Sequence, residues 1–600
     1  MKLNWNRKSG ALAALMPSAG VAPCCIDAAV SLADGLWIVG WVLAADIKST
    51  TVTAGTTRGD ADLIVRYWRQ DVADHFGIER GNRPLLGFVV RVPVHGLPPK
   101  SAIELQFQTS ESPATAKAEL ADPAQTDFAN GLRAQWPLIG PALIRAHDPV
   151  GLMPLLRLMA TPIGDRFGKF QFFVEPAIST GNEGLLVNGW AVDPDRELRH
   201  LYLSCSRTGR VLGDLATHWA RTPRADVSER HVGTLTVGQD PGFIAWLPCS
   251  GTSDTGVTDH LYALAVLKDG RIARQDIKPS PALGPMASVQ HVLRLFTESQ
   301  PRLGDILESH VGPAIDAIWR HRTRSEPRLA RQDFGSAPAA PDISVIVPLY
   351  GRYDFMRHQL AVFADDPAME RVELIYVIDD PNITTPALQL AEELSGLFRL
   401  PFSVISYNEN LGFAGANNVA ARIARGRVLI LLNSDVMPVK PGWAPALAEQ
   451  LASLPEAGIV GTTLLYEDGS LQHAGLQLRR LARWAGLPVN IHPGKGLSYV
   501  STGQSRQVSG VTAACMTIHR KLYQELGGLD EGFILGDFED SDMCFRASAK
   551  GHKIYCADVP MYHLERQSQS LAGDSWKHKV TLYNCWRHSK RLPANAVTSK

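Results

Sequence analysis

Apolar and polar positions keep two different rhythms along the chain. Over much of the first half the apolar runs are short, alternate with polar residues and stop at Gly, Asp or Pro. That is the pattern of small antiparallel strands with one buried face. After residue 342 the runs Ile343–Val347, Val372–Ile378 and Val428–Leu432 are apolar throughout, with helical spacing between them. Strands of that kind are buried on both faces, which predicts an α/β domain with a mostly parallel sheet covered by helices. Phe128–Ala160 and Val289–His321 carry apolar residues at helical spacing and are predicted helical connectors. Arg322–Asp342 is rich in Arg, Pro, Ala and Ser without periodicity and reads as a linker.

The first half repeats itself. Gly35-Leu-Trp-Ile-Val-Gly-Trp41 returns as Gly184-Leu-Leu-Val-Asn-Gly-Trp190, and Arg69-Gln-Asp71-Val72 returns as Arg224-Ala-Asp226-Val227. Gly87-Phe88 ahead of Val-Val-Arg-Val-Pro93 returns as Gly242-Phe243 ahead of Ile-Ala-Trp-Leu-Pro248. Three matches in one order predict two copies of a β-sandwich-like module. The paired Trp residues are expected to fill each core, and the Arg-x-Asp turn to hold a structural ion pair; sugar stacking on Trp41 and Trp190 is the alternative. The chain is thus read as multidomain: an N-terminal tail (1–26), β module 1 (27–112), a helical connector (120–165), β module 2 (168–275), a second helical connector (284–330), a linker (331–341), an α/β domain (342–575) and a C-terminal tail (576–600).

Composition narrows the function. At 600 residues, with 45% hydrophobic and 20% charged positions, the chain is globular and holds roughly three to five domains, excluding wholesale disorder, collagen and coiled coil. Sixty basic residues balance 60 acidic ones, so no nucleic-acid partner is expected. Eight cysteines without a C-x-x-C pair predict neither a disulfide framework nor a zinc site, and a reducing cytoplasm is the expected location. No run reaches the ~18–20 apolar residues of a membrane span. Lys2, Arg7 and Lys8 precede a short apolar stretch broken by Pro17, which falls short of a secretion signal.

In a parallel sheet, ligands bind beyond the carboxyl ends of the strands. Those ends carry Pro348-Leu-Tyr350, Asp379-Asp380 and Asn433-Ser434-Asp435. Asp and Asn also end strands simply because they favour turns, a reading that covers any one of the three more easily than all three. Asn410-Leu-Gly412-Phe-Ala-Gly-Ala-Asn417-Asn418 has the glycines that let a backbone approach a ligand; the same residues serve equally as a helix cap. Asp537, Glu539 and Asp540 crowd one helix start, where like charges can raise one carboxyl to the pKa of a base and where acids also serve the helix dipole. Asp542 and Arg546, four apart, are expected to pair structurally. Tyr562-His563, with Ser568 beyond, closes a strand-like run.

Taken in this order, residues Ile343 to about Ser568 resemble glycosyltransferase family 2, enzymes of the GT-A fold, and within it the non-processive, rhamnosyltransferase-like branch. The resemblance implies that Pro348, Tyr350 and Asp379 or Asp380 hold the nucleoside of a nucleotide-sugar donor, with Asn410, Gly412, Asn417, Asn433, Ser434 and Glu539 also lining the substrate site. It implies Asp435 and His563 as contacts for a divalent cation, Mn²⁺ or Mg²⁺, and Asp540 as the base on the acceptor hydroxyl. One base suffices for inverting displacement. Gly351 and Pro381-Asn382 depart from the family's residues, Asn433-Ser434-Asp435 offers one acid where two are usual, and the Gln-x-x-Arg-Trp of processive synthases is absent. The expected acceptor is a glycan, a lipid-linked precursor or a protein, in cell-surface polysaccharide or glycoconjugate synthesis, with peripheral contact at the inner membrane face. A catalytically inactive scaffold that binds carbohydrate or a partner through the β modules is the alternative, and a nucleotidyltransferase is disfavoured because no Gly-rich basic loop follows the first strand.

Overall fold

The computed structural model describes residues 21–78, 85–122, 126–235, 239–249, 258–280, 283–322, 327–564 and 575–592. Most of the expected N-terminal tail, the end of the C-terminal one and Ser568 lie outside these residues. The chain divides into two compact units, one made of residues 1–178 and 185–281, the other of residues 179–184 and 282–600.

The first unit contains the two copies. In copy 1, strands β1 (Cys24–Leu32), β2 (Gly35–Val42), β3 (Leu63–Tyr67) and β4 (Gly87–Val92) form one sheet in the order β1-β2-β4-β3. A second sheet is built from Ser49–Ala54, Thr57–Asp60, Ala102–Gln108 and Ala114–Glu119. Ile38, Phe88 and Val90 from the first sheet share a core with Ile103, Leu105 and Phe107 from the second. In copy 2, β5 (Gln171–Val174), β6 (Gly184–Val192), β7 (Ala220–Thr222) and β8 (Gly242–Pro248) repeat the arrangement in the order β5-β6-β8-β7, again facing a second sheet across a shared core.

Packing explains why these sequence elements repeat. A Cβ on Gly40 would lie 2.1 Å from the Cys25 carbonyl oxygen and 2.7 Å from the Phe88 ring; on Gly189 it would lie 2.2 Å from the Phe173 oxygen and 2.8 Å from the Phe243 ring. The Gly-Trp and Gly-Phe motifs are therefore two halves of one contact. The Arg-x-Asp motif is an ion-pair fork ahead of a short helix. Arg69 grips Asp71 at 2.7 and 2.5 Å before α1 (Gln70–His75), and Arg224 grips Asp226 at 2.8 and 2.8 Å before α2 (Ala225–Arg230). Trp41 is buried, whereas Trp190 is only half-buried, so core filling describes the first copy better than the second.

The second unit is built on one large sheet. Its strands are β9 (Ala330–Phe334), β10 (Ile343–Leu349), β11 (Val372–Ile378), β12 (Phe402–Ser406), β13 (Val428–Leu432), β14 (Val436–Pro438), β15 (Ala457–Leu465), β16 (Cys515–His519) and β17 (Lys553–His563). The order is β9-β12-β11-β10-β13-β16-β15-β17-β14. The run β12-β11-β10-β13 is parallel, and pairing with β16 is antiparallel. Connections leave β10 and β13 in opposite directions, which opens a crevice at their carboxyl ends. Helix α3 (Gly412–Ile423) covers one face, and α4 (Glu539–Ala549) follows the acidic loop.

Two expectations are corrected. The linker at 331–341 begins inside β9, an edge strand antiparallel to β12; its single inward side chain, Phe334, stacks on Phe402 at 4.9 Å, too little apolar content to register as a strand. The C-terminal tail at 576–600 is largely α5 (Ser575–Arg591). This helix buries Val580, Tyr583 and Cys585 but also Asn584 and His588, and those polar core positions disguise it as surface. It packs on the Pro285–Arg294 and Gly312–Arg320 helices, with Lys579 donating to the Leu293 carbonyl at 2.9 Å.

Candidate functional site

The three strand ends meet as the pattern requires. Pro348 lies in register with Val377, so Tyr350 and the acid pair Asp379-Asp380 follow neighbouring strands. The two acids differ sharply. Asp379 is buried and accepts from the Tyr407 hydroxyl and the Leu411 amide, both at 2.8 Å. Burial pushes its carboxyl up to about 7 in spite of those donors. Asp380 is half-buried and caps the following turn, accepting from the Asn382 amide at 3.0 Å. Tyr350 is 42% exposed beside them, and burial together with both carboxyls raises its phenol.

The glycine-rich segment divides into a turn at its start and a buried remainder. Asn410 accepts from the Gly412 amide at 2.9 Å and begins α3; Gly412 has φ +76° and faces Leu535, whose carbonyl receives the Phe413 amide at 2.8 Å. Asn417 is a correction to the expected contact set, because its side chain is fully buried and donates to the Phe413 carbonyl at 2.9 Å. Asn418 is structural as well: its amide oxygen receives the Tyr523 hydroxyl and the Leu529 amide.

Asp435 and His563 come together across the sheet. Gln359, itself buried, donates to the Asn433 and Val436 carbonyls at 2.9 and 3.1 Å and fixes the Asn433-Ser434-Asp435 turn. Ser434 is buried within that turn, and the half-buried Asn433 donates its backbone amide to the Ala514 carbonyl. His563 Nε2 lies 3.4 Å from Asp435 Oδ1. Its other nitrogen, Nδ1, is 2.7 Å from Gln472 Oε1, and Gln472 Nε2 donates to the His563 carbonyl at 3.0 Å. With the amide so oriented, Nδ1 carries a proton and Nε2 is the nitrogen turned to Asp435. An imidazole nitrogen and a carboxylate oxygen at that distance pair with each other when the ring is protonated and are two ligands for a cation when it is not. The donor set therefore fits a hard divalent ion that completes its shell with water and phosphate oxygens. Among the described residues no third His, Cys, Asp or Glu joins them.

The acidic helix start is the most constrained part of the site. Leu535, Asp537 and Phe538 have φ of 65°, 84° and 75°, a left-handed cluster that non-glycine residues adopt only when their surroundings impose it. Those surroundings come from α5. Asn584 donates to the Ile534 and Gly536 carbonyls at 3.0 and 2.6 Å and accepts the Ile534 amide, while Thr581 donates to Asp537 at 2.7 Å. The strained loop ends in Glu539 and Asp540. Glu539 is buried, its Oε2 has no hydrogen-bond partner, and burial beside Asp540 and Asp537 raises its carboxyl well above the ordinary value. Asp540 is half-buried and accepts from the Ser541 amide at 2.6 Å, the Ala513 amide at 3.3 Å and the Thr512 hydroxyl. Burial outweighs these donors, and its pKa is also raised. Asp542 and Arg546 pair at 2.7 Å, as expected.

A histidine absent from the sequence reading joins the two halves. His473 is buried, and its Nε2 accepts from the Gly475 and Thr512 amides at 3.3 and 3.5 Å. Its Nδ1–H must then point to His492 Nδ1, 2.9 Å away. Burial drives its pKa well below the ordinary value, which keeps it neutral. Thr512 is thus held from one side by His473 and holds Asp540 on the other, while Gln472, next in sequence, orients His563. The one local signal was a Gln-His pair just after the Asp468-Gly469 turn.

Residues 344–527 match the model of glycosyl transferase family 2. The O-antigen biosynthesis protein RfbC of Myxococcus xanthus is 31% identical over 262 residues, 42% of this chain and 20% of that protein. The uncharacterized protein y4gI of Sinorhizobium fredii (strain NBRC 101917 / NGR234) is 30% identical over 231 residues, 38% of this chain and 25% of that protein. The chain therefore spans about a quarter or less of the length of these relatives. Among solved structures, GalNAc-T7 with UDP, GalNAc and Mn²⁺ overlaps 41% of this chain and 48% of its own, at 14% identity and a TM-score of 0.32.

Proposed function

From the premise that the C-terminal part carries a glycosyl transferase family 2 domain, we propose that the protein is an inverting, metal-assisted, non-processive glycosyltransferase. It moves one sugar from a nucleotide-sugar donor to a hydroxyl of a glycan or lipid-linked acceptor, in cell-surface polysaccharide or glycoconjugate synthesis. The observation that carries the reading is the convergence of His563 Nε2 and Asp435 Oδ1 at 3.4 Å, joined through Gln472, His473 and Thr512 to a carboxyl of raised pKa, Asp540. Tyr350, exposed, and Asp380, half-buried, are the accessible members of the strand-end set and receive the nucleoside.

Asp540 accepts the proton of the attacking hydroxyl as the new glycosidic bond forms and the bond to the diphosphate breaks. A raised pKa suits this role, since a base works best when its pKa approaches the working pH. Glu539, held neutral by burial and by its charged neighbours, spares the site a second negative charge. Asp435 and His563 would hold a divalent cation, which when bound supplies positive charge to the departing diphosphate. With one base and no nucleophile in the set, the displacement inverts the anomeric centre. No described helix is long and apolar enough to cross a membrane. The eight free cysteines are in keeping with a reducing compartment as the site of action.

The test is nucleoside diphosphate release from UDP-, GDP- and dTDP-sugars with Mn²⁺ or Mg²⁺. Asp435→Ala is expected to abolish metal-dependent release. Asp540→Asn is expected to lower transfer by about 10²–10⁴-fold while donor binding stays intact. An unchanged rate in Asp540→Asn removes it as the base, and silence with every donor removes the transferase reading.

A further inference from the structure

The two β copies share one plan and differ at one face. In both, the Trp of the Gly-Trp motif lies beside the residue that closes the short helix. The Trp41 and Phe76 rings are 5.6 Å apart, and those of Trp190 and His231 are 5.9 Å apart. In copy 1 the Trp itself is buried: Trp41 sits in an apolar cluster with Val72, Ala73 and Leu86 and its register partner is Cys25, although the Phe76 ring beside it is 39% exposed. The adjoining ion pair is sealed too, with the side chains of Arg69 and Asp27 only 6% and 9% exposed at 2.5 Å.

In copy 2 the Trp and Arg positions are more open and the chemistry around them is changed. The register partner of Trp190 is Phe173, which is 36% exposed, and the two rings lie side by side at 6.4 Å and only 22° from parallel. Phe76 is replaced by the polar ring of His231. The Arg224 fork is 30% exposed and lies 3.7 Å from Glu175, two residues beyond Phe173, with Asp226 49% exposed. The Phe173–Trp190 pair thus forms an aromatic shelf beside an Arg and a Glu whose counterparts Arg69 and Asp27 are sealed, while the aspartate of the fork is exposed in both copies.

We infer that the Phe173–Trp190 shelf of the second β copy is a binding site for a pyranose ring of a glycan chain. Such a ring has an apolar face of C–H groups that aromatic rings desolvate, and a rim of hydroxyls suited to carboxylate and guanidinium partners. Two carboxylates around one guanidinium disfavour phosphate, which argues against a nucleotide on the same shelf. The choice of a glycan as occupant also rests on the transferase reading, because a glycan is the substrate class that reading brings to the chain.

The experiment is binding of the full chain to an array of neutral and acidic glycans, followed by native electrophoresis in gels containing the soluble polysaccharide that binds best. Phe173→Ala is expected to weaken binding about tenfold with the melting temperature unchanged, since half the shelf is lost and its ring is already partly in water. Trp190→Ala is expected to abolish binding, and Asp435→Ala to leave it as in the wild type. The inference is overturned if the wild type binds no glycan, if Phe173→Ala and Trp190→Ala both bind normally, or if Asp435→Ala loses binding, which would place the glycan in the transferase domain. Glycan binding that depends on Phe173, in a chain that releases no nucleoside diphosphate from any donor, would keep the shelf and remove the transferase reading.

Discussion

At the scale of single residues, the site depends on which heteroatoms are obliged to accept. His473 Nε2 receives two amides, so its role is to hold the Thr512 segment and through it Asp540. His473→Ala is expected to lower kcat about tenfold with the donor Kd unchanged and to move the acid limb of the pH profile, a shift that general loosening would not produce. That limb has a defined sign. In the proposed function Asp540 must be ionised to act, and burial raises its pKa, so wild-type activity is expected to fall as pH drops through a value above that of an ordinary aspartate. Asp379 makes the complementary case for stability. Its folded value of about 7 lies above the 3.8 of the unfolded chain, so its contribution is fully present below 3.8 and is lost as pH rises through 7. Asp379→Asn keeps an acceptor for Tyr407 and Leu411, and its melting temperature relative to the wild type is expected to rise between pH 5 and pH 8. A flat difference would mean that Asp379 carries no such penalty.

At the scale of elements, the decisive pairing is between α5 and the loop before α4. Three left-handed residues in a row of four cost free energy, and Asn584 with Thr581 supplies the bonds that hold them. Asn584→Ala is expected to leave backbone groups at Ile534 and Gly536 unpaired, to release the loop and to reduce kcat by about tenfold or more. Far-ultraviolet circular dichroism should stay unchanged, and a normal kcat would show that the loop keeps its shape without this clamp. The elements bearing Asp379 and Asp435 were legible because continuous apolar strands end in polar clusters, and that bearing Asp540 because acids crowd a helix start. Helix α5 was not, because Asn584 and His588 in its buried face break the apolar period. Strand β9 was not, because an edge strand needs only one inward side chain, Phe334.

At the scale of the whole molecule, two units with separate cores are expected to unfold as two calorimetric transitions. A nucleoside diphosphate with Mn²⁺, which binds one folded unit, is expected to raise only one of them. A single transition, or a shift of both, would contradict the independence of the units. The sequence by itself determined the two β copies, the parallel sheet and the acids at its carboxyl ends, because these follow from local period, from motif order and from where strands must stop. Tertiary structure alone decided which of those residues are buried and which stay accessible. Asp379 and Asp380, or Trp41 and Trp190, are alike as letters, and only the neighbours brought in from distant segments bury one of each pair and leave the other open. The tautomer of His473, the orientation of the His563 ring, and the strain imposed on the Asp540 loop likewise arise from contacts between residues far apart in the chain, which no local pattern encodes.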